Sequence, residues 1–315
     1  MSFRVSKVLV VASAIAFIWG SEKRVVAGGA VSELKPPSDL SQQVLPELKA
    51  INRTVKVPLR NRSIALHVYL PKQVTATAPL ILFASGSGGW HQFDAYVATA
   101  LAQRGMPVCG INTHAYLKTF YTTSRPATVD ELISDYSDII KEAKKVAEVE
   151  DNRPIILSGW SLGAGYAPLL ASDPRIKPTV RGVISIAIAR DNETALSVSN
   201  RLFSRMTGKT FGPSFNVTEY LKGTSPLPVA IIQPGDHRRP AAKQASRLMA
   251  SANEKAVTTI RLFDVETAGS HSFANGRREF DRALEEALAW INSVQLRTPS
   301  GAGNRITSLT LANIN

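Results

Sequence analysis

A serine between two glycines is the first feature of this sequence that could do chemistry. Residues 159–163 read Gly-Trp-Ser-Leu-Gly. The apolar run RPIILS (153–158) predicts a strand before them, and LGAGYAPLLA (162–171) predicts a helix after them. A strand–turn–helix setting of this kind can lift a serine hydroxyl above a sheet, with the glycines permitting the sharp turn. The sequence therefore predicts that Ser161 is a nucleophile, and a packing turn without chemistry is the alternative.

A serine hydroxyl is a poor nucleophile at neutral pH, so a base and an acid are needed beside it. Of the five histidines, His271 in ETAGSHSFANG follows the last predicted strand, where the base belongs after such an elbow. The acid is predicted to be Asp236, three residues past the strand VAIIQ, and it would orient the imidazole of His271. The competing carboxylate is Asp264, at the end of the last strand. A solvated loop histidine and a turn aspartate beside Gly235 are the alternatives without function.

The loop after the third predicted strand could bind a developing oxyanion. It reads Ser-Gly-Ser-Gly-Gly-Trp at 85–90, and glycines let backbone N–H groups approach a reacting oxygen closely. We expect the oxyanion donors to be the N–H of Leu162 and that of Ser87, with Gly88 as its substitute. Trp160, beside the nucleophile, is expected to contact substrate. A P-loop is excluded because no Lys-Ser/Thr pair follows these glycines, and this chemistry calls for neither a metal nor an organic cofactor.

Apolar strands alternate with amphipathic helices along most of the chain. This alternation predicts a mostly parallel sheet of about eight strands, with helices on both faces and a hairpin at its start. One α/β domain is expected over residues 53–295. The predicted strands are 54–60, 63–71, 78–85, 106–112, 153–158, 180–189, 228–233 and 256–263. The predicted helices are 93–105, 162–171, 241–250 and 276–294. A further helix is predicted to begin with the capping box of Thr128 and Glu131.

The segments outside this alternation have their own expected roles. Residues 1–30 contain two basic residues near their start, Arg4 and Lys7, followed by an apolar run that is too short to span a bilayer. This pattern favours a cleaved signal peptide over an uncleaved anchor, and it predicts export. Residues 31–52 are expected to be a linker and 296–315 a flexible tail. Residues 190–227 interrupt the alternation, and a small lid over the sheet edge or a surface excursion without function would explain them.

Charge and cysteine content restrict the partners. The chain has 37 basic and 25 acidic residues, a net charge of +12, which favours anionic partners such as an acidic membrane surface or a phosphate-bearing substrate. No helix-turn-helix, zinc or RNA-binding signature is present, so nucleic acid is not expected. Cys109 is the single cysteine, which excludes an intramolecular disulfide, and its apolar surroundings predict a buried strand position.

Three stretches together resemble a known family. SGSGGW, the strand PVCGIN followed by RPATVDELISDYSDII, and GWSLGAGYAPLL are similar to the bacterial virulence protein VirJ/AcvB branch of the α/β-hydrolases. The branch typically has aspartate where this chain has Ser87, and Tyr-Ser-Phe-Gly-Ala where it has residues 160–164. The resemblance implies an α/β-hydrolase fold and a periplasmic protein. For AcvB-like members it implies hydrolysis of the aminoacyl ester of lysyl-phosphatidylglycerol, and the VirJ name implies secretion-system proteins as partners.

The expected activity is hydrolysis of a carboxylic ester through an acyl-enzyme on Ser161. Arg238 and Arg239 follow Asp236 and could bind a lipid phosphate, because guanidinium groups suit planar bidentate contact; solvated surface arginines are the alternative. Two other functions stay open on the same residues. One is a general carboxylesterase, lipase or thioesterase, and the other is a non-catalytic type IV secretion factor that keeps the fold.

Overall fold

An antiparallel hairpin begins the described part of the chain. The computed structural model describes residues 51–75, 77–120, 126–188, 193–197, 213–235, 259–266 and 271–297. Strand β1 (Ile51–Leu59) pairs with β2 (Arg62–Leu70), with Leu59 opposite Arg62. The two-residue turn between them places Arg60 at a φ of 54°. The hairpin predicted from the sequence is therefore present, and its β2 strand pairs with the parallel part of the sheet.

The main sheet has eight strands in the order β1-β2-β4-β3-β5-β6-β9-β10. Only β2 runs against the others, so the parallel strands end at one common edge. This arrangement confirms the predicted α/β fold with about eight mostly parallel strands. The remaining strands are β3 (Leu80–Ala84), β4 (Val108–Ile111), β5 (Ile155–Trp160), β6 (Val180–Ile186), β9 (Val229–Pro234) and β10 (Ile260–Val265).

Helices cover both faces of the sheet, as the alternating sequence predicts. They are α1 (Gln92–Gln103), α2 (Thr113–Lys118), α3 (Val129–Val146), α4 (Leu162–Ser172), α5 (Val217–Gly223) and α6 (Arg277–Arg297). Apolar residues of α3 and α4 form one hydrophobic core with one face of the sheet. Apolar residues of α1 and α6 form a second core with the opposite face of the sheet. The capping box of Thr128 and Glu131 begins α3 as expected, with the Glu131 N–H donating to Thr128 Oγ1.

The long insertion after β6 contains elements that the sequence does not predict. Two three-residue strands, β7 (Glu193–Ala195) and β8 (Ser214–Asn216), form a small antiparallel sheet, and α5 follows directly. Phe215 packs on Tyr166 of α4, with 5.8 Å between ring centroids. The described part of the insertion thus packs beside α4. Residues 189–192 and 198–212 lie outside the described residues, so the lid stays a prediction.

Several other predictions also fall outside the described residues. These are the signal peptide and linker up to residue 50, the helix at 241–250 and the tail from residue 298. Among the helices that the structure describes, none is both long and apolar enough to span a bilayer. The short helix α2 has no counterpart among the sequence predictions, because six residues carry too little periodicity to reveal it.

The single cysteine lies where its apolar surroundings predict. Cys109 is in the middle of β4 with no exposed surface, and its thiol is 3.5 Å from the Ala143 carbonyl oxygen. Burial raises the pKa of this thiol to about 12. The thiolate, the reactive form of cysteine, is therefore suppressed.

Candidate active site

Ser161 occupies a strained turn between β5 and α4. Its backbone angles are φ 56° and ψ −111°, a positive-φ conformation that non-glycine residues rarely adopt. Its N–H donates to the Ile186 carbonyl oxygen at 2.9 Å, which ties the turn to the end of β6. Strain of this kind persists where surrounding structure holds it, and it is concentrated at functional sites.

The two glycines of the motif are required by backbone contacts. A Cβ on Gly159 would overlap the backbone of Gly163, and a Cβ on Gly163 would overlap the carbonyl of Ala84 on β3. The first turn of α4 therefore lies directly on the ends of β3 and β5. The Gly-x-Ser-x-Gly spacing follows from this close packing as well as from the turn itself.

The loop that carries His271 contacts the residue before the nucleophile. The indole Nε1 of Trp160 donates to the His271 carbonyl oxygen at 3.1 Å, and the two rings lie 5.3 Å apart. Two residues later Phe273 is fully buried, with its ring 5.8 Å from that of Phe93. The structure thus brings the predicted base next to the turn of the predicted nucleophile. The polar atom of Trp160, a residue predicted to contact substrate, binds the His271 loop.

The Gly-rich loop (residues 85–90) also contacts Trp160. A Cβ on Gly86 would come within 2.6 Å of the Trp160 ring. Ser85 fixes the start of the loop, because its N–H donates to the Ile111 carbonyl and its Oγ accepts from the Thr113 N–H, both at 3.0 Å. The loop is therefore held against the turn that carries Ser161.

The predicted oxyanion donors have backbone N–H groups available. Leu162 opens α4, and the first N–H groups of a helix have no partner within it. Ser87 is partly exposed and Gly88 exposed, and within the described part of the chain neither N–H donates a hydrogen bond. These three residues could supply donors from two sides, as an oxyanion site requires.

Trp90 anchors the end of the Gly-rich loop. Its ring stacks on His67 of β2 with 4.4 Å between centroids, and it packs edge-on against Phe83. The ring lies so close to Gly110 of β4 that a Cβ there would overlap it. Burial lowers the pKa of His67, which favours the neutral imidazole in this stack.

Asp94 is a residue of this region that the sequence does not single out. It is the third residue of α1 and has no exposed surface. Its carboxylate accepts hydrogen bonds from the N–H of His91 at 2.8 Å and from the N–H of Gly86 at 3.4 Å. Burial raises its pKa to about 6, and these hydrogen bonds oppose that shift. The signal in the sequence is an acid in the first turn of a helix, which is too common to mark a buried carboxylate.

The predicted acid and the two arginines lie outside the described residues. Asp236, Arg238 and Arg239 follow Gly235, where a described range ends, so their roles stay predictions. Asp264, the competing acid, is exposed on β10. Among the described residues no three His, Cys, Asp or Glu side chains cluster as metal ligands would.

Comparison with protein families gives one match. Residues 78–220 match the family described as "Bacterial virulence protein (VirJ)". This range includes both the Gly-rich loop and the turn of Ser161. No curated protein matches the chain at a significant level.

Solved structures share the fold at low sequence identity. A dienelactone hydrolase from Anabaena variabilis has a TM-score of 0.53 and 17% identity, covering 78% of this chain and 98% of its own. Est1E from Butyrivibrio proteoclasticus has a TM-score of 0.54 and 12% identity, covering 76% and 99%. The Pyrococcus horikoshii acylaminoacyl peptidase has a TM-score of 0.58 and 13% identity, covering 82% of this chain and 44% of the peptidase. These similarities establish the α/β-hydrolase fold.

Proposed function

We propose that this chain, which has the α/β-hydrolase fold and matches the VirJ family over residues 78–220, hydrolyses carboxylic esters with Ser161 as the nucleophile. The observation that carries this proposal is the strained backbone of Ser161, at φ 56°, next to a tryptophan that is hydrogen-bonded to the His271 loop. A packing turn without chemistry would need neither the strain nor that contact.

The proposed reaction has two halves. Ser161 Oγ attacks the ester carbonyl while His271 takes its proton, and the C–O bond to the leaving alcohol then breaks as His271 protonates that alcohol. Water attacks the resulting acyl-enzyme, with His271 again taking and returning a proton. Asp236 orients the imidazole, and the N–H groups of Leu162 and of Ser87 or Gly88 bind the tetrahedral oxyanion.

The proposed substrate is the aminoacyl ester of a lysyl-phosphatidylglycerol-type lipid, met by an exported, periplasmic protein. The resemblance of SGSGGW and GWSLGAGYAPLL to AcvB-like proteins supports this substrate. The net charge of +12 also supports it, because a basic protein is attracted to an anionic lipid surface. Arg238 and Arg239 are proposed to bind the lipid phosphate.

The first test compares two esters with the purified protein and its Ser161→Ala variant. We expect lysyl-phosphatidylglycerol in vesicles to be hydrolysed well, p-nitrophenyl butyrate poorly, and the variant to hydrolyse neither. A preference for the small ester would indicate a general carboxylesterase, lipase or thioesterase. If the wild type hydrolysed neither ester and a fluorophosphonate did not label Ser161, the protein would be a non-catalytic factor acting through secretion-system partners.

The second test concerns the arginines. Replacing both Arg238 and Arg239 with Gln is expected to raise KM for the anionic lipid and to leave the neutral ester unaffected. Equal losses with both esters would reject a phosphate contact at these positions.

A further inference from the structure

We propose that Asp94 is a positioning residue for catalysis, whose carboxylate holds the Gly-rich loop so that the N–H groups of Ser87 and Gly88 stay available to the oxyanion. This inference rests on the proposed function. Asp94 touches no reacting atom and acts through the backbone of the loop.

The carboxylate binds the loop at both ends. One oxygen accepts from the N–H of Gly86, at the start of the turn, and the other accepts from the N–H of His91, directly after the loop. Ser87 and Gly88 lie between these two points. A single buried side chain thus links the two ends of the loop.

Gly86 also relays any displacement of the loop to the rest of the site. Its backbone lies against the Trp160 ring, and Trp160 donates to the His271 carbonyl. Loss of the Asp94 contact would therefore affect the predicted oxyanion donors first and the predicted base second. A misplacement of about 1 Å can cost about 100-fold in rate.

Ionisation of the Asp94 carboxyl lowers the stability of the folded protein relative to the protonated form, which argues against a purely structural role. Its folded pKa of about 6 lies above the ordinary value of 3.8, so the folded protein binds the proton more tightly than the unfolded chain does. The penalty is absent below pH 3.8, grows as pH rises to about 6 and is complete above that pH. A group that costs stability at neutral pH is expected where function requires it.

Few titratable groups face Asp94. Those with an electrostatic interaction with it among the described residues are His91, at the N-terminus of the same helix, and Tyr69 on β2. Burial raises the pKa of Tyr69, so it stays neutral in acidic and neutral solution. A change in stability between pH 4 and 6 that disappears with the Asp94 carboxyl therefore belongs to Asp94 or to its interaction with His91.

The test uses Asp94→Asn in the full-length protein, with Asp138→Asn as the control for loss of one negative charge. Asp138 is exposed on α3 and forms a salt bridge only with Lys141 among the described residues. An amide has one acceptor oxygen and one NH₂ group, so the asparagine side chain satisfies only one of the two loop N–H groups. We expect kcat for the preferred ester to fall about 10- to 100-fold with KM within about twofold.

Two further readouts separate position from stability. The Tm of Asp94→Asn at pH 7.5 is expected to equal or exceed that of the wild type, and its dependence on pH between 4 and 6 is expected to be weaker. Amide hydrogen exchange in peptides covering 85–93 is expected to become faster in this variant and not in Asp138→Asn.

The outcomes are distinct. Full kcat in Asp94→Asn, or a fall in Tm that parallels the fall in kcat, would overturn the positioning role. Absence of turnover and of Ser161 labelling in the wild type would instead overturn the proposed function. Hydrogen exchange can be measured even in a protein without activity. Unchanged exchange in residues 85–93 of Asp94→Asn would show that Asp94 does not hold the loop.

Discussion

The indole N–H of Trp160 donates to the carbonyl oxygen of His271 at 3.1 Å, joining positions 111 residues apart in the sequence. Trp160 is the last residue of β5 and precedes Ser161, whereas His271 lies in the loop between β10 and α6. One side chain therefore connects the turn of the proposed nucleophile to the loop of the proposed base. A tryptophan is suited to this position because its ring packs on Phe93 while its single donor reaches a backbone acceptor.

Trp160→Phe tests this link. The phenyl ring keeps most of the packing but loses the hydrogen bond, which contributes about 1 kcal/mol. If that energy positions His271, kcat should fall about fivefold with little change in KM. Steady-state kinetics on the preferred ester measures both constants.

Trp290→Phe is the matched control for this change. Trp290 lies on α6, and its ring packs against Phe263 of β10 rather than against Trp160 or His271. Its replacement should leave kcat unchanged. A similar loss of kcat in both variants would mean that the effect comes from general loosening of the aromatic core.

Gly163→Ala should destabilise the whole fold. The added Cβ would overlap the Ala84 carbonyl, which is backbone in a central strand and cannot move aside. Overpacking of this kind costs about 1–3 kcal/mol or more. Thermal unfolding followed by circular dichroism should show a Tm several degrees lower.

Gly105→Ala provides the comparison for Gly163→Ala. Nothing lies within 4 Å of its added Cβ, so only the positive φ of 84° contributes a cost. Its Tm should fall less than that of Gly163→Ala. The reverse order would contradict the packing argument.

Ser161→Gly should be more stable than Ser161→Ala, although both should be inactive. Glycine adopts a φ of 56° freely, whereas alanine keeps the strain of about 1 kcal/mol or more that serine bears. The free energies of unfolding in urea give the difference. Equal stability of the two variants would show that the turn is relaxed.

Gly110→Ala should lower activity through the Gly-rich loop. The added Cβ would overlap the Trp90 ring and push it out, and the loop would follow because Trp90 ends it. We expect a large loss of kcat with the sheet retained in circular dichroism. Retained kcat would show that Trp90 does not hold the loop in place.

The sequence predicts the sheet and the Ser161 turn because both depend on local pattern. Strand–turn–helix order, the paired glycines and the capping box of Thr128 are each visible within a short window of the sequence. The separate β7–β8 sheet and α2 have three to six residues each, too short for periodicity to reveal them.

The contacts of the candidate site depend on tertiary structure and are not visible in the sequence. Asp94 has the sequence of an ordinary first-turn helix acid, and only the fold shows that its carboxylate is buried beneath Gly86. Trp160 is predicted to contact substrate because it adjoins Ser161. Its hydrogen-bond partner, the His271 carbonyl, comes from a distant strand connection that no local pattern specifies.

The buried position of Cys109 has a practical consequence for spectroscopy. With no exposed surface and a pKa of about 12, this thiol should not react with maleimides in the native protein. The wild-type chain can therefore serve as an unreactive background. A cysteine introduced at exposed Ala274, three residues after His271, would accept a single fluorophore that reports on movement of that loop as an ester binds.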